Sequence, residues 1–160
     1  MKKISVIILI CSLFLLDLVI KFLVSNYLTT ITVIDNFFSL TYVLNDGAAF
    51  SILASQTFMI ILITLLCLAF VIYELKKNLN DRVETIAYSF ILSGLLGNFV
   101  DRLIDGYVID YLSFKVFNYN YPVFNLADIL IVLGVIIMLI KEIGGIIHAN
   151  RSERKWEKAW

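Results

Sequence analysis

Four long apolar runs limit what this chain can fold into. They cover about residues 4–24, 58–73, 85–104 and 123–140. A helix needs about 20 apolar residues to cross the hydrocarbon core of a bilayer. The second run is short, but Ile52 and Leu53 can extend it. Because backbone groups in lipid must be satisfied internally, such runs fold as helices. We therefore predict one membrane domain over residues 1–160, with four transmembrane helices.

The composition agrees with a membrane protein and excludes other classes. The chain is 61% hydrophobic and 16% charged, whereas soluble domains are about half apolar and a quarter charged. Its 13 basic and 13 acidic residues leave no positive surplus for phosphates, so we expect no nucleic-acid partner. Cys11 and Cys67 lie far apart within apolar runs, and His148 is the only histidine. We therefore expect no disulfide, metal site or cofactor.

The amino-terminal run is interpreted as an uncleaved anchor. Lys2 and Lys3 before an apolar run are typical of a signal peptide, even of a lipoprotein. However, Ile10 precedes Cys11, where a cleavage site needs a small residue. The run also continues to about Val24, which is long enough for a membrane helix.

The distribution of basic residues predicts the orientation. Lys and Arg are concentrated before the first run, between the second and third, and after the fourth. The stretch 25–57 has none, and the stretch 103–122 contains only Lys115. By the positive-inside rule, both termini and the middle loop are cytoplasmic. The two long connections then face outward.

The first outer connection has the pattern of a β-hairpin. Residues 30–34 and 37–44 are rich in β-branched and aromatic residues, with turn-forming residues at 35–36 and 45–47. We expect a small extracytoplasmic hairpin or sheet between the first and second helices. The predicted fold class is otherwise an all-α, multi-pass membrane protein.

Polar side chains within the apolar runs are the strongest functional signal, because charges are costly in hydrocarbon. In the predicted topology these residues all lie at the outer ends of their helices: Asp17, Lys21, Asn98, Asp101, Arg102, Asn125 and Asp128. Asp17 and Lys21 have the spacing of a helical ion pair, for which we expect a structural role. Asp128 has no adjacent cation in sequence, and we interpret it as functional.

Two carboxyl groups brought close together have the chemistry to hydrolyse a peptide bond. Because two negative charges repel each other at short distance, one of the two carboxyls retains a proton. The ionised group takes a proton from water while the protonated group polarises the carbonyl. Asp110 in the second connection and Asp101 at the end of the third helix are the alternative partners for Asp128. The sequence contains no Gly-x-Ser-x-Gly, His-Glu-x-x-His or Cys–His motif for other hydrolases.

Five motifs together resemble the lipoprotein signal peptidase family, also called signal peptidase II, over nearly the whole chain. In order they are Asp17-x-x-x-Lys21, Asn45-Asp46-Gly47-Ala48-Ala49-Phe50, Gly94-x-x-Gly97-Asn98-x-x-Asp101-Arg102, Val108-Ile109-Asp110-Tyr111 and Phe124-Asn125-Leu126-Ala127-Asp128. The resemblance implies an intramembrane aspartyl peptidase of the bacterial cell membrane, acting near the outer leaflet. The implied substrate is a prolipoprotein with diacylglycerol on its lipobox cysteine, cut just before that cysteine.

The resemblance also implies roles for individual residues. It assigns the catalytic pair to Asp110 and Asp128. Residues implied to bind substrate or support that pair are Asn45, Gly47, Asn98, Asp101, Arg102 and Asn125. Neither a cofactor nor a metal is implied. We expect a monomer whose partners are prolipoprotein substrates and membrane lipids.

Two other classes of function compete with a peptidase. A small proton- or ion-coupled carrier would use Asp17, Asp101 and Asp128 as a relay, and a structural scaffold would use none of them. Transporter sites usually lie near the midplane, often between repeated halves, whereas this chain has no evident repeat and its charges gather at one end of the helices. Scaffolds rarely tolerate several intramembrane charges. Cleavage of a lipid-modified precursor would distinguish a peptidase from both.

Overall fold

Four long helices form the frame of the molecule. The computed structural model describes residues 2–47, 56–117 and 119–157, with side chains described only as far as residue 147. The helices are α1 (Lys3–Tyr27), α2 (Thr57–Lys77), α3 (Arg82–Ile104) and α4 (Leu126–Glu157). Each contains a stretch long and apolar enough to cross a bilayer, which confirms the four helices predicted from hydropathy.

The helix ends differ from the ends of the apolar runs. Helix α2 extends through polar residues to Lys77, and α4 begins at Leu126 rather than at residue 123. Hydropathy detects only the part of a helix that suits lipid, so polar flanking turns escape it. The proposed extension of the second helix by Ile52 and Leu53 lies outside the described residues.

Helix α3 lies at the centre of the bundle and packs against α1, α2 and α4. It has the lowest mean hydropathy of the four spans, because its surroundings are largely protein rather than lipid. The core that joins it to α1 and α2 consists of Val6, Leu68, Val71, Leu75, Tyr88, Ile91 and Leu92. By contrast, α1, α2 and α4 expose many large apolar side chains. Such surfaces suit contact with lipid.

Glycines allow α3 and α4 to approach closely. A Cβ at Gly94 would collide with the carbonyl oxygen of Ala127. A Cβ at Gly134 would lie 2.5 Å from Ile91 Cγ1 and 2.6 Å from the carbonyl oxygen of Ala87. Small residues at helix crossings permit this backbone contact in membrane bundles. The position of α4 is thereby set against α3.

Ion pairs also join α3 and α4 at the end remote from Asn98 and Asp128. Asp81 caps α3 by accepting a hydrogen bond from the Glu84 amide at 3.0 Å. Lys141 of α4 pairs with Asp81 at 2.6 Å and also with the Glu84 carboxylate. The Lys141 ammonium beside Asp81 holds the pKa of that carboxyl below its usual range.

A four-stranded antiparallel sheet draws strands from both long connections. Its order is β1 (Ile31–Ile34), β2 (Phe38–Asn45), β3 (Val108–Val116) and β4 (Tyr119–Asn120). The hairpin β1–β2 lies between α1 and α2, as predicted. Strands β3 and β4 belong to the second connection, where the sequence analysis placed none, so "all-α" is too narrow a label. Their β-branched and aromatic residues suit a sheet. Backbone groups are satisfied because β3 pairs with β2 and β4 pairs with β3.

The sheet carries the second connection to the start of α4. In the β2–β3 register, Asn45 pairs with Val108 and Val43 with Asp110. The amides of Tyr111 and Leu112 donate to the carbonyl oxygen of Phe124 at 3.1 and 2.8 Å. Phe124, two positions before the start of α4, is thus joined to β3, which brings the start of α4 next to Asp110.

Candidate active site

Helix α4 begins with a reciprocal cap made by Asn125 and Asp128. The Asn125 Oδ1 accepts a hydrogen bond from the Asp128 amide at 3.0 Å, and Asp128 Oδ2 accepts one from the Asn125 amide at 3.2 Å. This is the arrangement of a capping box. The sequence analysis gave Asp128 no structural role, although Asn-x-x-Asp before an apolar run is a helix-start signal. Asp128 therefore has a structural role besides any chemical one.

Two other side chains satisfy the next amides of α4. The Leu126 amide donates to Tyr111 Oη at 3.1 Å, and the Ala127 amide donates to Asp17 Oδ1 at 3.0 Å. The first amides of a helix have no partner within the helix. Here α1 and β3 supply those partners. Burial raises the pKa of Tyr111 to about 12, so the phenol stays protonated.

The second oxygen of Asp128 is held by Asn98 of α3. Asn98 Nδ2 donates to Asp128 Oδ1 at 2.7 Å. The Asn98 Oδ1 accepts from Lys21 Nζ at 2.9 Å and from Asn125 Nδ2 at 3.0 Å. Each oxygen of Asp128 thus accepts a hydrogen bond, which fixes the orientation of the carboxyl group.

Asp110 is buried in β3, with 2% of its surface exposed. Its Oδ2 accepts from Asn45 Nδ2 at 2.8 Å, and its Oδ1 accepts from Asn125 Nδ2 at 2.7 Å. Burial raises the pKa of Asp110 to about 6, and the negative charge of Asp128 adds to this rise, while the bonds from Asn45 and Asn125 oppose it. Asp110 therefore holds a proton more readily than an ordinary aspartate.

Asn125 links the two carboxyl groups. It contacts Asp110 through its side-chain amide and Asp128 through its side-chain oxygen and backbone amide. It is fully buried. The sequence analysis named Asn125 only as a supporting residue, because its bond to Asp110 depends on the sheet register.

Asp101 lies in a separate charged cluster. Lys21 Nζ lies 2.8 Å from Asp101 Oδ2 and 2.9 Å from Asp17 Oδ2. Asp101 Oδ2 also accepts from the Ile109 amide at 3.3 Å. The structure places the predicted Asp17–Lys21 pair in contact and adds Asp101 to it. Of the two candidate partners for Asp128, Asp101 is paired with the Lys21 ammonium. Asp110 instead lines the same cavity as Asp128.

Arg102 of α3 links the connection between α1 and α2 to the backbone of Asn98. Its Nη2 donates to the carbonyl oxygen of Gly47 at 2.8 Å, and its Nη1 donates to that of Asn98 at 3.3 Å. The Gly47 amide in turn donates to Asn45 Oδ1 at 3.0 Å. Arg102 thus holds the end of the segment that carries Asn45. Ala48, Ala49 and Phe50 of this motif lie outside the described residues.

A cavity of about 880 Å³ opens onto these groups. Asp110 and Asp128 both line it, beside Asn45, Asn98 and Arg102. The remaining lining residues are mostly apolar: Phe37, Val43, Leu44, Asp46, Val108, Phe114, Val116, Tyr121, Pro122, Val123, Phe124, Ile131 and Val132. An apolar pocket with a few convergent polar groups is typical of a ligand site. Here the convergent groups include two carboxyls.

The family model for Signal peptidase (SPase) II matches residues 9–144. That range contains all the polar residues of the candidate site. The chain belongs to the signal peptidase II family.

Relatives and a solved structure agree with this membership. The lipoprotein signal peptidase of Francisella tularensis subsp. novicida (strain U112) is 40% identical over 131 residues, or 77% of this chain and 81% of the relative. That of Clostridium novyi (strain NT) is 46% identical over 112 residues, or 69% and 76%. A bacterial membrane enzyme solved by the in meso method at 2.3 Å resolution matches with a TM-score of 0.82 and 28% identity, over 89% of this chain and 90% of that one.

Membership in the signal peptidase II family confirms the resemblance seen in the sequence and identifies a peptidase. The carrier alternative receives no support from these similarities.

Proposed function

We propose that this signal peptidase II removes signal peptides from prolipoproteins, and that the carboxyls of Asp110 and Asp128 catalyse the hydrolysis. The observation that carries this proposal is the placement of both carboxyls on one largely apolar cavity, where the Asn125 side chain donates to Asp110 and its backbone amide donates to Asp128. The names of the relatives supply the substrate class.

The two carboxyls have different surroundings, and this difference suggests their roles. Asp110 is buried and has a raised pKa of about 6, so it suits the protonated role of polarising the scissile carbonyl. Asp128 accepts two hydrogen bonds and lies at the positive amino-terminal end of α4. We assign Asp128 the other role of the pair, in which a carboxylate takes a proton from water.

The proposed reaction balances with one water and one shared proton. The water oxygen attacks the carbonyl carbon, its proton passes to Asp128, and Asp110 protonates the carbonyl oxygen. As the C–N bond breaks, Asp128 gives its proton to the leaving nitrogen. A hydroxyl of the tetrahedral intermediate returns a proton to Asp110. The pair is then restored without a covalent intermediate.

The cavity also suits the chemistry of a lipid-modified substrate. Its apolar walls would accept an extended signal segment and the acyl chains of a diacylglyceryl cysteine, with the cut just before that cysteine. In the proposed topology both termini are cytoplasmic, and the site lies near the outer leaflet, between the end of α3 and the start of α4. We propose one catalytic domain that works as a monomer.

Cleavage by purified protein tests this function. The detergent-solubilised chain should cut a diacylglyceryl-modified prolipoprotein and should continue to do so in excess chelator, because two carboxyls suffice for the chemistry. The unmodified precursor is the matched control, and it should be cut far more slowly. If folded protein leaves the modified precursor intact, the peptidase proposal is wrong.

The pH dependence of cleavage should report the shared proton. Since the pair needs one proton, kcat/KM should fall as the pH rises through about 6, where Asp110 ionises. Asn45 stabilises the ionised form of Asp110, so Asn45→Ala should raise the pKa of Asp110 further. The descending limb of the plot of kcat/KM against pH should then move to higher pH by roughly one unit.

Measuring kcat/KM from pH 4.5 to 8 checks this prediction. The exposed amide of Asn26 on α1 gives a matched control, since Asn26→Ala should leave the limb in place. A limb that stays fixed or moves to lower pH in Asn45→Ala would contradict the role of Asp110.

A further inference from the structure

We propose that Asp17 is a positioning residue for the hydrolysis, acting by fixing the first turn of α4. The inference rests on the proposed function, which assigns the chemistry to Asp110 and Asp128. Asp17 belongs to α1, is fully buried and is not among the residues that line the cavity. Any effect on the reaction must therefore pass through its neighbours.

One contact joins Asp17 directly to the helix that carries Asp128. The Ala127 amide donates to Asp17 Oδ1 at 3.0 Å, across 110 positions of the sequence. This bond satisfies an amide that has no partner within α4. Since Ala127 immediately precedes Asp128, the bond sets where the backbone of Asp128 lies.

A second route from Asp17 reaches the carboxylate of Asp128. Lys21 Nζ pairs with Asp17 Oδ2 at 2.9 Å and donates to Asn98 Oδ1 at 2.9 Å. Turning the Asn98 amide by 180° would point its NH2 group at the ammonium, where both groups are donors. Lys21 therefore keeps Asn98 Nδ2 directed at Asp128 Oδ1, which lies 2.7 Å away.

The space around Asp17 admits little else. A Cβ at Gly97 of α3 would collide with Asp17 Oδ2 and would lie 3.3 Å from Ala127 Cβ. Gly97 thus makes room for a side chain of α1. Here the group that it makes room for is a carboxylate. A longer side chain at position 17, or a methyl group at position 97, would push this carboxylate away from Ala127.

The expected effect of losing Asp17 is on turnover rather than on substrate binding. A misplacement of about 1 Å at a catalytic group lowers rates roughly 100-fold, and loss of an orienting partner costs about 10- to 100-fold. Asp17→Ala should therefore lower kcat roughly 10- to 100-fold while KM changes by less than about threefold. Asp17→Asn keeps an oxygen acceptor for the Ala127 amide but turns its NH2 group toward Lys21 Nζ, so it should restore part of kcat, whereas Asp17→Glu should not.

Gly97→Ala provides an independent test that removes no polar group. It should lower kcat by displacing Asp17, so its effect should not add to that of Asp17→Ala in the double variant. Gly144→Ala on α4 is the matched control, because nothing lies within 4 Å of a Cβ there. Gly144→Ala should leave kcat unchanged.

The experiment measures kcat and KM of these detergent-purified, folded variants on a diacylglyceryl-modified prolipoprotein. Lower kcat with unchanged KM, partial rescue by Asp17→Asn and non-additivity with Gly97→Ala would support the proposal. If Asp17→Asn is as impaired as Asp17→Ala, or if losses follow only the fraction of unfolded protein, Asp17 is merely structural. If the wild type fails to cleave, the proposed function itself is wrong, and this inference fails with it.

Discussion

Asp110→Asn and Asp128→Asn should each abolish signal-peptide cleavage, with kcat falling roughly 10³- to 10⁴-fold. An amide at either position has no ionisable proton, so it neither activates water nor protonates the carbonyl. Because the two carboxyls act as a unit, the double variant should be little worse than either single variant. Single-turnover cleavage of a diacylglyceryl-modified prolipoprotein measures the loss.

An exposed carboxyl provides the control for this experiment. Asp105 lies just after α3 and five positions before Asp110, but it is exposed. Asp105→Asn should keep its rate within about twofold, as is usual for a surface change. All variants should remain folded, since Asn at position 128 keeps a cap acceptor for α4. Persistent cleavage by folded Asp110→Asn or Asp128→Asn would refute the proposed catalytic pair.

Replacing Asn125 should damage stability and activity together. Asn125→Ala removes the side-chain cap of α4. It also removes the hydrogen bonds that Asn125 Nδ2 donates to Asp110 Oδ1 and Asn98 Oδ1. Loss of the cap and of buried hydrogen bonds should lower the free energy of unfolding by about 2–4 kcal/mol. Since the Asn125 side chain also orients the Asp110 carboxyl and holds the backbone amide of Asp128, kcat should fall roughly 100-fold.

Asn125→Asp separates these two roles. Aspartate still accepts the Asp128 amide, so the cap should survive and thermal unfolding in detergent should change less than for Asn125→Ala. However, it places a third carboxyl beside Asp110 and removes the donor, so cleavage should still be lost. The exposed Asn26→Ala should change neither measurement. Full activity in Asn125→Asp would contradict a donor role for Asn125.

The helices were predictable because hydrophobic length is a local property. Each apolar run was visible without knowledge of its neighbours, and the sequence identified the four spans that the structure contains. The helix ends were less predictable, since a cap depends on single residues such as Asn125. Hydropathy averages over such residues and therefore placed the start of α4 at residue 123 rather than at Leu126.

The second half of the sheet escaped prediction for a related reason. Strand β3 carries Asp110 among its apolar residues, and its pairing partner β2 lies more than 60 positions earlier. The sequence shows no sign of this register, which sets the bond between Asn45 and Asp110. Without this register, the residues alone leave Asp101 as an alternative to Asp110 as the partner of Asp128.

The charged cluster shows the same limit of local reasoning. The i, i+4 spacing of Asp17 and Lys21 predicted a contact between them, and the structure has that contact at 2.9 Å. The contacts from Asp101 to Lys21 and from Asp17 to Ala127 depend on how α1, α3 and α4 pack. These long-range contacts distinguish Asp101 from Asp110 and suggest a positioning role for Asp17.

The assignment of the catalytic pair is tested most directly by single-turnover cleavage with Asp101→Asn beside Asp110→Asn. Asp101 is paired with Lys21, whereas Asp110 lines the cavity. Asp101→Asn should therefore keep measurable cleavage of the modified prolipoprotein, within roughly 100-fold of wild type, while Asp110→Asn should show only background. Cleavage retained by Asp110→Asn and lost in a folded Asp101→Asn would contradict this account and move the catalytic pair to Asp101 and Asp128.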